Sequence, residues 1–186
     1  SVKYSGSRGF HIGVPFESFP REVNNLHIAA LFPEGPRIIA VYLQDMIKDM
    51  LAQKILEINS LTTICEKTGK KRNEILKNGT FDPFTVIDID TVLISNRHLF
   101  RAPYSLHEKT KLVSVPIDKK RILDFDKREA DPTRVVPEHG FLKAKGKEDA
   151  KTLIIQAFDW WGKQHEKRGP EKDLLPKHTF SLPLHA

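Results

Sequence analysis

Three short stretches combine residue types that could handle phosphate and metal. The first is Ser5-Gly6-Ser7-Arg8-Gly9-Phe10-His11. Its two glycines let a ligand approach the backbone, a hydroxyl and a guanidinium supply phosphate contacts, and His11 comes three residues after Arg8. The competing reading is a polar turn with a surface histidine. The second is Asp88-Ile89-Asp90. On a strand, residues two apart share a face, so both carboxylates could meet one hard divalent cation, Mg²⁺ or Mn²⁺; the alternative is a solvated strand edge. The third runs from Arg97 to Lys111 and holds Arg97, His98, Arg101, His107, Lys109 and Lys111, with Leu99, Phe100, Tyr104 and Leu106 between them. Packing could fix that backbone while the cations converge on a triphosphate, or the stretch could be a basic surface loop.

The elements that must position these groups are legible from period and punctuation. Phe10, Ile12 and Val14 alternate with His11 and Gly13, which predicts a half-buried strand with His11 opposite the core side. Pro36 suits a first helical turn, and apolar residues recurring at three and four predict a buried stripe on a helix over 37–59. Ser60 is placed to cap a short helix, and Asn78-Gly79 reads as a turn. Phe84, Val86, Ile87 and Ile89 predict a strand carrying the acidic pair, and 112–117 a further strand. A last helix is expected over 148–166, with Leu153, Ile154, Ala157, Phe158 and Trp161 on one side and only one of Trp160 and Trp161 in the core. The proline-containing tail 169–186 is expected to wrap or dangle. Strands and helices without regular βαβ spacing favour an α+β architecture.

Composition bounds the possibilities. A chain of 186 residues, 39% hydrophobic and 29% charged, is sized for one folded domain, with or without an insertion. The formal charge of +6 favours polyanionic partners. One cysteine, Cys65, excludes an intrachain disulfide and a multi-cysteine zinc site, and fits a reducing cytoplasm. No apolar run approaches the ~20 residues of a membrane span, so no membrane partner is expected.

S-G-S-R-G-F-H resembles the second motif of archaeal–eukaryotic-type primase (primase-polymerase) small subunits, a Ser-x-x-Arg-Gly-x-His pattern that binds the incoming nucleotide's phosphates. The stretch R-H-L-F-R-A-P-Y-S-L-H-E-K-T-K-L-V-S-V-P-I-D, behind the acidic pair, is similar to that family's third motif and the segment after it. The resemblance implies a catalytic-type mixed or antiparallel sheet with flanking helices. Residues 1–35 and 83–125 would form the core, 36–82 a helical insertion, and 126–186 a C-terminal loop, helix and tail. It also implies that Ser5, Arg8 and His11 contact phosphates, that Arg101 and His107 grip the triphosphate, and that His98 lies near the sugar. The third-motif carboxylate would be Asp88 or Asp90, with Asp90 preferred because I-D-T-V-L-I-S matches best.

The family's first motif, an Asp-x-Asp strand upstream of the Ser-x-x-Arg-Gly-x-His segment, is missing, as are its zinc-binding cysteines. The expectation is therefore either the C-terminal part of a longer polymerase, or a protein that pairs with, or has lost, the metal-binding half. If completed, two divalent ions held with Asp90 and Asp88 would support in-line nucleotidyl transfer from a nucleoside triphosphate to a 3′-hydroxyl on a DNA template and primer. His11 and its basic neighbours would stabilise the leaving group. The rival is a non-catalytic primase-like accessory subunit. A primase large subunit or a helicase is the implied protein partner, and a cytoplasmic, nucleoid-associated location goes with that role.

Overall fold

The computed structural model describes residues 1–91, 94–95, 97–143 and 148–166, so the tail 169–186 lies outside the described residues. In chain order the strands are β1 (Val2–Tyr4), β2 (Phe10–Ile12), β3 (Glu22–Val23), β4 (Leu26–His27), β5 (Leu76–Lys77), β6 (Thr80–Phe81) and β7 (Pro116–Ile117). The α-helices are α1 (Glu34–Ile58), α2 (Leu61–Thr68), α3 (Arg72–Ile75) and α4 (Lys151–Glu166). Helices beside small antiparallel sheets give the chain α+β character.

The sheet that carries the Ser5–Gly9 loop has the order β2-β1-β7, all antiparallel. Val2 opposes Ile12, Lys3 opposes His11, and Tyr4 opposes Phe10. Because neighbouring side chains point to opposite faces, Lys3 and His11 share one face while Tyr4 and Phe10 share the other. Tyr4, Phe10 and Phe125 pack their rings together on that second face, with centroids 5.2 to 6.0 Å apart.

The predicted alternation in β2 is present, but its faces are reversed. Phe10 and Ile12 are exposed, Ile12 at 82%, and His11 is half-buried. Periodicity states that two faces differ; which one is covered depends on chain that arrives later, here Phe100 against the His11 ring.

The long helix forms with Pro36 in its first turn, where a missing N–H costs nothing, and with Glu34 near the positive end of the helix and paired to Arg37 at 2.8 Å. Its apolar stripe is only partly buried. Ile38 and Ile39 join Val23, Ile28, Ile154 and Ala157 in one core, whereas Leu43, Met46 and Met50 are exposed. The stripe outruns its cover because α4, its main partner, has 16 residues against 25. The expected apolar side of α4 holds: Ile154 and Ala157 are buried, with Leu153, Phe158 and Trp161 packed beside them. Fully burying an isoleucine such as Ile154 contributes about 1.5–3 kcal/mol. Trp160 also meets α1, donating to Asp45 Oδ2 at 2.9 Å and lying against Tyr42.

A second, smaller core gathers Ile64, Ile75 and Phe81. Ser60 caps α2 by accepting from Thr63 N at 3.1 Å. Asn78 and Gly79, at φ 52° and 79°, make the two-residue turn between β5 and β6.

The strand expected from Phe84 to Asp90 does not form. Asp82-Pro83 starts a 3₁₀ turn over Pro83–Thr85, in which Asp82 Oδ1 accepts from Phe84 N at 3.1 Å and Ile87 N donates to Pro83 O at 2.9 Å. An Asp side-chain cap followed by a proline with fixed φ outcompetes the β-propensity of the residues after it. Of the 112–117 strand, Pro116–Ile117 pairs as β7, and Val113 makes an isolated bridge to Leu106.

Candidate nucleotide-phosphate site

The loop between β1 and β2 is closed by Ser5 N donating to Gly9 O at 2.9 Å. Ser5 Oγ accepts from the N–H groups of Ser7 and Gly9 at 3.2 and 3.3 Å, which leaves its own O–H as a donor. The Tyr4 hydroxyl also donates to Ser7 O. Residues 5–9 are thus a tied loop and not a floppy turn, with Arg8 exposed upon it.

Gly6 is where the two basic segments meet. Its φ is +86°, and a Cβ there would sit 3.0 Å from His107 Cβ and 3.1 Å from Leu112 O. Thr110 Oγ1 donates to Gly6 O at 2.5 Å across 104 positions of sequence. The second segment is itself ordered: His107 N bonds to Leu112 O and Lys111 N to His107 O, at 2.8 and 2.9 Å. His107 Nδ1 accepts long bonds from the N–H groups of Lys109 and Thr110, so its proton belongs on Nε2. Arg101 is half-buried, donates to Leu106 O at 2.9 Å, and pairs with Glu108 at 2.6 Å. A bond from its own backbone N–H and one from Arg101 hold the Glu108 carboxyl below its usual range.

His11 enters the same neighbourhood from β2. Its ring lies 4.8 Å from that of Phe100, and its Nδ1 is 2.8 Å from Lys3 Nζ. Burial first, then the charges of Lys3 and Arg101, push the His11 pKa down, so the ring is neutral at physiological pH. Lys3 has no exposed surface; its Nζ also donates to Ser114 Oγ at 2.9 Å and sits 4.6 Å from the centre of the Phe100 ring. Burial, with the Arg101 charge adding to it, lowers its pKa to about 8.

The structure therefore brings Ser5, His11, Arg101 and His107 into one neighbourhood of loop contacts. His98 is exposed two residues before Phe100. Asp88 and Asp90 are exposed with Ile89 half-buried between them, in a segment that forms no strand. They offer two of the hard oxygen donors that a divalent ion needs. Among the described residues no three His, Cys, Asp or Glu side chains gather as a metal-binding set, so these residues do not by themselves make an ion centre.

Sequence reasoning missed Lys3, Thr110 and the basic residues Lys127, Arg128 and Arg134. Lys3 adjoins the Ser-Gly loop, but a lysine in a three-residue strand reads as solvated. Thr110 reads as a turn residue. Lys127, Arg128 and Arg134 join Ser7, Thr110 and the carboxylate of Asp131 around an open cleft of about 320 Å³, and in sequence they are interspersed with Asp124, Asp126 and Glu129, which dilutes the charge signal.

Against known proteins, residues 1–119 match the family model described as DNA primase small subunit. No curated protein and no solved structure matches the chain. No helix among the described residues is long and apolar enough to cross a membrane.

Proposed function

The chain belongs to the DNA primase small subunit family, and from that premise we propose that its Ser5–His11 loop and its Arg97–Lys111 segment form the nucleoside triphosphate site of a DNA-templated nucleotidyltransferase. The observation that carries this reading is the close approach at Gly6, where Thr110 and His107 lock the two segments together. Arg8 and Arg101 supply permanent positive charge, the Ser5 hydroxyl and the neutral His11 supply uncharged donors, and His107 supplies a ring N–H. Donors fixed before the ligand arrives stabilise charge that grows on the phosphates as pyrophosphate leaves. His98, exposed two residues before Phe100, is assigned to the sugar in this reading by its match to the family's third motif. The cleft bearing Lys127 and Arg134 extends positive charge beside the loop and suits the backbone of the DNA template or primer.

Asp90, with Asp88 beside it, supplies part of the carboxylate side, and complete transfer to a 3′-hydroxyl requires further carboxylates. The family is typically dependent on Mg²⁺ or Mn²⁺, and a large subunit is the protein partner it implies. In this reading the β2-β1-β7 sheet belongs to the catalytic-type core over 1–35 and 83–125, with 36–82 inserted into it and 126–186 after it. A second reading, a non-catalytic subunit that binds nucleotide, is supported by the lack, among the described residues, of a third ligating side chain gathered with Asp88 and Asp90.

Equilibrium binding of a fluorescent nucleoside triphosphate, with and without Mn²⁺, tests the site. Saturable binding is expected, and Arg8→Ala should weaken it about tenfold or more, the worth of a charge-assisted phosphate contact. The melting temperature should not move, because Arg8 is exposed. Unchanged affinity in Arg8→Ala, or equal affinity for triphosphate and bare nucleoside, would sink the reading. Templated incorporation, lost in Asp90→Asn, separates the enzyme from the binding subunit.

A further inference from the structure

We infer that Lys3 is a positioning residue for the nucleotide site, fixing His11 as a neutral imidazole with its proton on Nε2, so that His11 presents one N–H donor to a phosphate oxygen. The inference rests on the reading of His11 as a phosphate contact, and deepens it.

Lys3 lies on the central strand, directly across from His11, and has no exposed surface. A lysine is rarely buried without partners, because an isolated ammonium loses its hydration. Here the partners are Ser114 Oγ at 2.9 Å, His11 Nδ1 at 2.8 Å, and the faces of Phe100 and Phe141 at 4.6 and 5.5 Å. Ser114 Oγ donates its own hydrogen to Tyr4 O at 2.9 Å, so toward Lys3 it accepts.

An ammonium has three donors and no acceptor. A 2.8 Å contact between it and a ring nitrogen is therefore a hydrogen bond only if that nitrogen is bare. With Nδ1 bare, the neutral ring carries its proton on Nε2. The groups facing this pair are Arg101, which is tied to Glu108, and the uncharged Phe100, Phe141 and Ser114. The Lys3 and Arg101 charges both oppose a second proton on His11. His107 reaches the same tautomer by another route, its Nδ1 accepting from two backbone N–H groups. The His107 Nε2, however, lies 3.9 Å from Glu108 Oε1, whereas among the described residues no such carboxylate faces the His11 pair.

The fixed state has a pH limit. With burial and the Arg101 charge lowering the Lys3 pKa to about 8, the amine becomes neutral at mildly alkaline pH and can then accept as well as donate, so the lock on Nδ1 loosens.

The test is ¹H–¹⁵N correlation of the His11 ring in the full chain from pH 6 to 9, with triphosphate affinity measured over the same range. Wild-type protein at pH 7 should give a single pattern with Nε2 protonated and Nδ1 bare, and the Nδ1 shift should move as pH passes about 8. In Lys3→Met, a chain of similar length without donors, the ring should populate both tautomers, and its pKa should rise toward the ordinary value. Triphosphate affinity at pH 7 should fall about tenfold and lose its decline above pH 8. A proton on Nδ1 in the wild type at pH 7, or a ring in Lys3→Met that keeps the single Nε2–H tautomer, overturns the inference; the first result needs no variant and stands even if Lys3→Met fails to fold. An Nε2–H ring locked by Lys3 together with unchanged triphosphate affinity in His11→Ala would instead remove His11 from the phosphate site.

Discussion

Replacing Gly6 by alanine tests the contact on which the site depends. At φ +86° an alanine is in the left-handed region, which costs about 1–2 kcal/mol. Its Cβ would also press to 3.0 Å from His107 Cβ and 3.1 Å from Leu112 O. The second neighbour is backbone, held by the His107 N–H, and cannot swing aside as a side-chain tip would. Crowding of that kind adds about 1–3 kcal/mol. Alanine also narrows the unfolded ensemble, returning about 0.4–1 kcal/mol. The net expectation is a loss of about 2–4 kcal/mol, read as a lower midpoint in urea at unchanged slope. Two other glycines calibrate it. Gly79 has φ +79° and open space where a Cβ would go, so Gly79→Ala should lose only about 0.5–1 kcal/mol. Gly9 meets nothing within 4 Å and has no positive φ, so Gly9→Ala should be neutral. If Gly6→Ala cost no more than Gly79→Ala, the two segments would not be in contact as described.

Two further outcomes are expected from the ion pairs. Asp82 is buried, and although desolvation raises its pKa, the hydrogen bonds from Lys77 and Phe84 N and the charges of Lys48 and Lys77 outweigh it and leave the pKa lowered. A lowered carboxylate pKa contributes stability that is present above its unfolded value and lost as pH falls through the folded one, so Asp82→Asn, which keeps the cap acceptor, should flatten the acid side of the stability profile in urea titrations below about pH 5. Glu108→Gln removes a negative charge beside Arg101 and should raise triphosphate affinity several-fold at low salt, an effect that shrinks as salt is added; an unchanged affinity would show that Arg101 does not meet the ligand.

How much of the molecule could be read from the residues alone depends on the range of the forces involved. Local signals held: the three-and-four spacing in α1 and α4, the Ser60 cap, and the Asn78-Gly79 turn each depend on neighbours within a few positions. The Asp82-Pro83 turn was local too, and it overrode a β-rich run that the apolar residues alone would favour. The buried face of β2 was not legible, because it is chosen by Phe100, and neither was the burial of Lys3, which needs Ser114, Phe100 and Phe141 from distant sequence. Within the site, the residue types in Ser5–His11 and Arg97–Lys111 pointed to phosphate, but only the fold shows that Glu108 already occupies Arg101 and that Asp88 and Asp90 leave the predicted strand.

The bond from Thr110 to Gly6 closes a loop of about a hundred residues, while the β5–β6 hairpin closes over two. Closure entropy grows with the logarithm of loop length, so the hairpin and helices can form on local contacts, whereas the site must wait until the chain between its halves has condensed. The Thr110–Gly6 contact would then report that folding is finished, a more stringent indicator than helix content, which the chain can acquire while its two basic segments are still apart.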